Sequence, residues 1–281
     1  MIKKLLGALA LSLTCTLAFA EGGAHIDRAP DRITDLAALQ NGAKLFVNYC
    51  LNCHSANSMR YNKLMDLGLT ENEIKKNLLF SRDKVGDLMT ISMTPEDAKK
   101  WFGAAPPDLS VIARAKSANF GPSGVDYIYT YLRGFYRNTT KKTGWDNTVF
   151  PSVAMPNVLW ELEGPRTYTS IDVHQVADAQ GNEHWERTTT VYDEAGFPSA
   201  KSEKLADYHG DATHTGRFDS ADQKTYSEFE SNVADLSNFL GWMAEPGQLL
   251  RKQIGVWVML FLFLFLFVAT RMNKAYWKHV R

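Results

Sequence analysis

The chain has 281 residues, 45% of them hydrophobic, which is enough for one full hydrophobic core with accessory elements. It carries 31 basic and 31 acidic residues, and this zero formal charge excludes a generally basic nucleic-acid-binding protein. The charges are unevenly distributed, because eight basic residues and no acidic ones lie in residues 1–20 and 251–281. Residues 21–250 therefore contain 23 basic and 31 acidic residues, a net charge of −8.

Residues 1–20 have the pattern of a cleaved secretory signal peptide. A lysine pair precedes an apolar run, and an A-x-A cleavage site at 18–20 follows it. The apolar run is too short to span a membrane, so we expect the segment to be removed. Cys15 would be lost with it, which leaves Cys50 and Cys53 as the cysteines of an exported chain.

The other end of the chain predicts a single membrane-spanning helix. Residues 253–270 carry no charge, and a helix of that length reaches about 27 Å, close to the thickness of the hydrocarbon core. The larger cluster of flanking basic residues follows this run, which favours a cytoplasmic tail. We therefore predict an exported body at 21–250, an anchor at 251–275 and a tail at 276–281.

Most signals in the first half of the body are helical. Apolar residues at helical spacing follow Asp35 and continue to Cys50. Thr70 with Glu73 matches a capping box, and Thr94 precedes a proline at the first position of another short helix. These patterns predict a mainly α fold.

The second half of the body has two helical segments with a polar stretch between them. Residues 125–136 predict an aromatic-rich helix, and residues 225–245 predict another that starts near Tyr226 or Ser231. Residues 164–224 are polar, with alternating β-branched residues and Gly-containing turns. We expect a small β-hairpin-rich insertion there, since the stretch has too few apolar residues for a core of its own.

Residues 50–54 read C-L-N-C-H, the pattern of covalent haem attachment. Cys50 and Cys53 lie three residues apart, so one helical turn can direct both sulfurs to the two vinyl groups of one porphyrin. His54 then offers its imidazole to the iron from the same side. The spacing predicts a single haem c.

Three other interpretations of these cysteines compete with haem. A disulfide between Cys50 and Cys53 would leave no porphyrin site. A thioredoxin-like redox site would need a βαβ context, which does not precede Cys50. A zinc site would need four ligands, and the other histidines show no matching spacing.

An electron carrier needs a second axial ligand, and methionine raises the reduction potential relative to a second histidine. Met155 stands between Pro151 and Pro156, which keep the chain out of a helix. That suits a ligand presented by a loop, so we predict Met155 as the second ligand. The other methionines considered lie too close to the haem motif, in a polar stretch or on a helix face: Met59, Met65, Met89, Met93 and Met243.

Further motifs are distributed along the chain. They read G-A-K-L-F at 42–46, P-P-D-L-S at 106–110, R-A-K at 114–116, D-Y at 126–127, A-M-P at 154–156 and F-L-G-W-M-A-E-P at 239–246. Together with C-L-N-C-H and the basic-flanked anchor, they make the chain resemble the cytochrome c1 family of bacterial cytochrome bc1 complexes. The resemblance implies a c-type cytochrome haem domain with thioethers at Cys50 and Cys53, and His54 and Met155 as axial ligands.

The resemblance also implies roles for residues that the patterns alone do not single out. The family's arginine after P-P-D-L-S pairs with a haem propionate, which corresponds here to Arg114. Tyr127 corresponds to a residue at the haem edge. Gly42 and Phe46 would pack where the first helix crosses the helix at 225–245.

A respiratory electron-transfer function follows from the resemblance. The haem would accept one electron from a Rieske iron–sulfur protein and pass it to a c-type cytochrome, in a dimeric complex with cytochrome b at the bacterial inner membrane. The haem domain would lie on the periplasmic side, and no catalytic acid, base or nucleophile is expected in this chain. The net charge of −8 favours a basic partner.

Other functions compete with this interpretation. The chain could be a membrane-anchored monohaem cytochrome c that feeds a terminal oxidase. It could also be a sensory haem protein with an open sixth position, or an exported structural protein with a disulfide. Companion proteins distinguish the first of these, carbon monoxide binding the second, and the absence of haem the third.

Overall fold

The structure is a computed structural model that describes residues 24–178 and 181–279. The predicted signal peptide at 1–20, with Cys15, lies outside the described residues. Helices and strands alternate along the body, and a long helix follows it. The prediction of a mainly α fold is confirmed only in part, because long strands add substantial β structure.

The elements are numbered in chain order. The α-helices are α1 (Leu36–Leu45), α2 (Glu71–Asn77), α3 (Pro95–Phe102), α4 (Ile112–Ala115), α5 (Gly124–Arg133), α6 (Trp160–Glu163), α7 (Gln223–Ala244) and α8 (Gln248–Tyr276). The strands are β1 (Ala56–Arg60), β2 (Leu88–Met89), β3 (Phe135–Arg137), β4 (Trp145–Asn147), β5 (Arg166–Ala177), β6 (Glu183–Tyr192), β7 (Pro198–Leu205) and β8 (Thr213–Ser220). Tighter or wider helical turns occupy Phe46–Cys50, Tyr61–Leu67 and Trp277–His279.

Three helices begin where the sequence predicts. The Asp35 carboxylate accepts a backbone hydrogen bond at the start of α1. Thr70 and Glu73 form the predicted capping box of α2, and Thr94 caps α3 with Pro95 at its first position. Local side-chain chemistry fixes these boundaries, because each cap satisfies N–H groups that have no partner within the helix.

Two predicted helix boundaries are wrong. α5 ends at Arg133 rather than near Tyr136, because the chain turns at Gly134 and β3 pairs with β4 as a hairpin. α7 begins at Gln223, earlier than predicted. The reason is Asp222, whose carboxylate accepts N–H hydrogen bonds from the first turn at 3.0 and 3.1 Å.

The crossing of α1 and α7 forms the centre of the core. A Cβ atom at Gly42 would lie 2.5 Å from Phe239 Cβ and would overlap the Asp235 carbonyl, so this close approach requires glycine. The rings of Phe46 and Phe239 pack with their centroids 5.7 Å apart. The predicted packing role of Gly42 and Phe46 is confirmed.

Residues 164–224 form the expected β structure, an antiparallel sheet in the order β7-β6-β5-β8. Arg166, at the start of β5, fixes this sheet to the body. Its guanidinium donates to the carbonyl oxygens of Arg133 and Phe135 at 2.7 and 2.5 Å. It also lies 3.9 Å from the centre of the Phe218 ring. The sheet is therefore attached through its longest strand.

α8 has the length and composition of a single-pass membrane anchor. Among the described residues it is the one helix that is long and apolar enough to span a membrane. Its most apolar window has a mean hydropathy of 2.3, and none of that window is buried. The helix extends beyond the predicted 251–275 at both ends, and residues 245–247 separate it from α7.

Candidate functional site

The C-L-N-C-H motif forms a compact turn at the end of the first helix. α1 continues as a wider π-helical turn to Cys50. The backbone N–H groups of Cys53 and His54 then donate to the Cys50 carbonyl oxygen at 3.0 and 2.8 Å. Both cysteines are free thiols, Cys50 buried and Cys53 half-buried. Two thiols and an imidazole are thus held on one turn.

The environment of the thiols does not favour thiolates. Burial, and then the neighbouring Cys53, raises the pKa of Cys50 to about 12, and burial also raises the pKa of Cys53. A redox dithiol or a zinc ligand acts as a thiolate, which a lowered pKa favours. Residues 24–178 and 181–279 also contain no group of three or more His, Cys, Asp or Glu side chains that could hold a metal ion.

The imidazole of His54 has a fixed orientation. Its Nδ1 lies 2.8 Å from the carbonyl oxygen of Pro107. A carbonyl oxygen can only accept, so Nδ1 is the donor in this contact. Burial lowers the pKa of His54, although the Pro107 hydrogen bond and the charge of Asp108 oppose this effect. Because Nδ1 is used in this hydrogen bond, Nε2 is the ring nitrogen left to bind a metal.

Four residues of the P-P-D-L-S motif at 106–110 hold His54 and the segment that follows it. Besides Pro107, three of its residues bond to the segment that follows His54. These bonds run from Leu109 N to Ser55 O at 2.9 Å, from Asn57 N to Asp108 Oδ2 at 2.8 Å and from Ser58 N to Ser110 Oγ at 2.9 Å. The sequence analysis used this motif only for resemblance and missed its role in orienting His54. The histidine ligands of metals commonly have such a partner on the second ring nitrogen.

Met155 lies in the loop between β4 and α6, outside regular secondary structure, as its flanking prolines predict. It is half-buried against the same core cluster that contains Cys50. Its sulfur accepts a hydrogen bond from Tyr131 Oη at 3.5 Å. Other methionines are placed differently: Met59, Met89 and Met243 are buried in the core, and Met65 is exposed.

A buried asparagine holds the Met155 loop against α5. Asn147 Nδ2 donates to the Tyr131 carbonyl oxygen at 2.8 Å. Its Oδ1 accepts from the N–H groups of Val149 and Phe150 at 2.9 and 3.0 Å. The sequence analysis missed both Tyr131 and Asn147, because neither belongs to a motif that names a function.

Tyr127 and Arg114 differ from each other in their surroundings, since Tyr127 packs against other side chains and Arg114 is exposed. Tyr127 stacks on Tyr131 with the ring centroids 6.1 Å apart, and Lys116 Nζ lies 4.8 Å from the centre of its ring. Tyr127 is thus linked to Met155 through Tyr131. Arg114 is exposed on α4, and its guanidinium forms no salt bridge within the part of the chain that the structure describes.

This chain is similar to known proteins, two of them over nearly the full length of both chains. The model of the Cytochrome C1 family matches residues 31–180 and 214–280. Cytochrome c1 of Allochromatium vinosum is 38% identical over 281 residues, which cover 99% of this chain and 100% of that protein. The ammonia monooxygenase gamma subunit of Nitrosomonas europaea is 36% identical over 281 residues, 100% of this chain and 99% of that protein. Cytochrome b/c1 of Bradyrhizobium diazoefficiens is 23% identical over 286 residues, 86% of this chain and 33% of that protein.

These matches define a haem-containing electron-transfer subunit with a single apolar C-terminal helix. The chain belongs to the cytochrome c1 family. Members of this family carry covalently bound haem c, and the chemistry of the site fits that group. The turn at 50–54 offers two unpaired thiols at the required spacing, and His54 offers a free ring nitrogen. Membership in this family indicates a bc1-type complex, and the similarity to the Bradyrhizobium protein named cytochrome b/c1 agrees with it.

Proposed function

We propose that this chain is the cytochrome c1 subunit of a quinol–cytochrome c oxidoreductase. It takes one electron from a Rieske iron–sulfur protein and passes it to a c-type cytochrome. The observation that carries the proposal is the imidazole of His54, fixed by Pro107 next to two free thiols. Burial, which raises the pKa values of both thiols, does not favour the thiolate of a redox dithiol.

The two cysteines and the histidine of the turn each have a separate role in this proposal. The Cys50 and Cys53 thiols would hold haem c through thioether bonds to its two vinyl groups. His54 Nε2 would be one ligand of the iron, and the Pro107 carbonyl fixes the ring by binding its Nδ1. Haem c, when bound, supplies a one-electron iron couple.

Met155 would be the other ligand of the iron in the proposed site. A thioether favours the reduced state of the iron more than a second imidazole does. Asn147 keeps the Met155 loop against α5, so the sulfur does not depend on a mobile segment for its position. A site in which both His54 and Met155 held the iron would suit an electron carrier.

Arg114 and Tyr127 have supporting roles in the proposal. The Arg114 guanidinium is exposed, and its charge acts on Glu245 without forming a salt bridge within the described ranges, so it would remain available to pair with a haem propionate. Tyr127, whose ring packs on Tyr131, would be the residue at the haem edge. The proposal also includes removal of residues 1–20 and a periplasmic body, since basic residues flank α8 on its C-terminal side.

Purification of the intact complex through a tag on this chain tests the function. We expect cytochrome b and a Rieske protein to co-purify with one covalent haem per copy of the chain. Recovery with a terminal oxidase alone would favour a monohaem cytochrome that feeds that oxidase. Recovery with ammonia monooxygenase subunits would favour the role named for the Nitrosomonas relative. A chain without covalent haem would refute the proposal.

The Met155→Leu variant tests the axial ligand. Covalent haem should remain, while the potential falls sharply and ferrous haem binds carbon monoxide readily. Met65→Leu is the matched control, because that methionine is 48% exposed and lies outside the site. An unchanged potential in Met155→Leu would refute the ligand assignment and leave the attachment by Cys50 and Cys53 intact.

A further inference from the structure

Tyr131 contacts the sulfur of the proposed ligand directly. It lies on α5, and its hydroxyl donates to Met155 Sδ at 3.5 Å, a hydrogen-bond distance for a sulfur acceptor. None of the motifs that define the family resemblance includes this residue. The contact joins two segments that are separated by the β3–β4 hairpin.

Three contacts fix the Tyr131 side chain in this orientation. Its ring stacks on Tyr127 with an interplanar angle of 8°, and it meets the edge of Phe135 at 73° with centroids 5.2 Å apart. Asn147 binds its carbonyl oxygen. The donor is therefore aimed by packing on two sides and by a backbone hydrogen bond.

The hydroxyl is the donor in this contact, because a thioether sulfur carries no hydrogen and can only accept. The positive end of the O–H dipole therefore points towards the sulfur.

We propose that Tyr131 is a positioning residue that fixes the Met155 thioether and raises the reduction potential of the site. The inference rests on the proposed assignment of Met155 as an axial ligand. The positive end of the O–H dipole draws electron density from the sulfur and stabilises the added electron. The same hydrogen bond restricts rotation of the flexible methionine side chain.

The experiment compares Tyr131→Phe with Tyr129→Phe in the haem-loaded complex. Tyr129 is on the same helix, and its ring packs under Arg133 rather than against Met155, so its variant removes a hydroxyl without touching the sulfur. In Tyr131→Phe we expect the equilibrium constant for reduction to fall about threefold to tenfold, the range of one hydrogen bond. At 59 mV per tenfold change this is about 28–59 mV. Tyr129→Phe should keep the wild-type potential.

Two spectroscopic measurements separate this inference from the ligand assignment. The weak near-red band of ferric haem with methionine sulfur as ligand should disappear in Met155→Leu. It should persist in Tyr131→Phe, with faster binding of carbon monoxide to the ferrous form. An unchanged potential and unchanged carbon monoxide kinetics in Tyr131→Phe would overturn the role of Tyr131 alone. Persistence of the band in Met155→Leu would overturn the ligand assignment as well.

Discussion

Asn147→Ala should destabilise the protein and release the Met155 loop. Asn147 is 1% exposed and makes three hydrogen bonds, one to α5 and two to the loop. A net value of about 1 kcal/mol per hydrogen bond gives a loss of about 3 kcal/mol. The half-buried Tyr131 carbonyl would lose the Asn147 amide and keep only the Gly134 N–H, at 3.1 Å, as a donor. We therefore expect the free energy of unfolding to fall by about 2–4 kcal/mol.

Denaturant unfolding of the detergent-solubilised full chain, followed by haem absorbance, measures this loss. Carbon monoxide binding to the ferrous protein measures the position of Met155, and its rate should increase in the variant. Asn62→Ala is the matched control, because that side chain is exposed on the turn Tyr61–Leu67. If the two variants agree in stability within about 0.5 kcal/mol and in binding rate, the role assigned to Asn147 is wrong.

Three further predictions concern packing, pH and salt. Gly42→Ala should cost about 1–3 kcal/mol of stability in thermal unfolding, whereas Gly86→Ala, with no atom near its Cβ, should not. Partial burial raises the pKa of Asp108, but the hydrogen bonds that it accepts, first of all from Ser110, outweigh this effect. The net pKa of Asp108 is lowered. Its stabilising effect is therefore present above about pH 4 and lost as pH falls, so the melting temperatures of Asp108→Ala and wild type should converge in acid. Electron transfer to a basic c-type acceptor should slow as salt screens the net charge of −8 on residues 21–250; rates independent of ionic strength would contradict this.

The sequence predicts those helix starts and loops that are fixed by interactions between neighbouring residues. The caps at Asp35, Thr70 and Thr94 are hydrogen bonds within three residues, so the sequence pattern contains the whole interaction. The apolar repeat before Cys50 and the prolines on both sides of Met155 are equally local. The helix at 125–136 was predicted too long because its aromatic residues suit a strand as well as a helix.

The supports of the candidate site depend on contacts between distant segments. Pro107 meets His54 across 53 residues of chain, and Asn147 meets the carbonyl of Tyr131 across 16. No spacing rule connects such pairs, since the packing of α5 and the loops brings them together. The turn at 50–54 could therefore be predicted as a haem site, whereas the groups that orient its histidine and methionine could not.

The short junction between α7 and α8 limits how far the body can move. Residues 245–247 can span at most about 10 Å, and α7 is locked in its crossing with α1. With α8 inserted in lipid, the whole body stays near the membrane surface and cannot swing outwards as a domain on a long linker would. The reach of the body from the bilayer is therefore set by this junction of three residues.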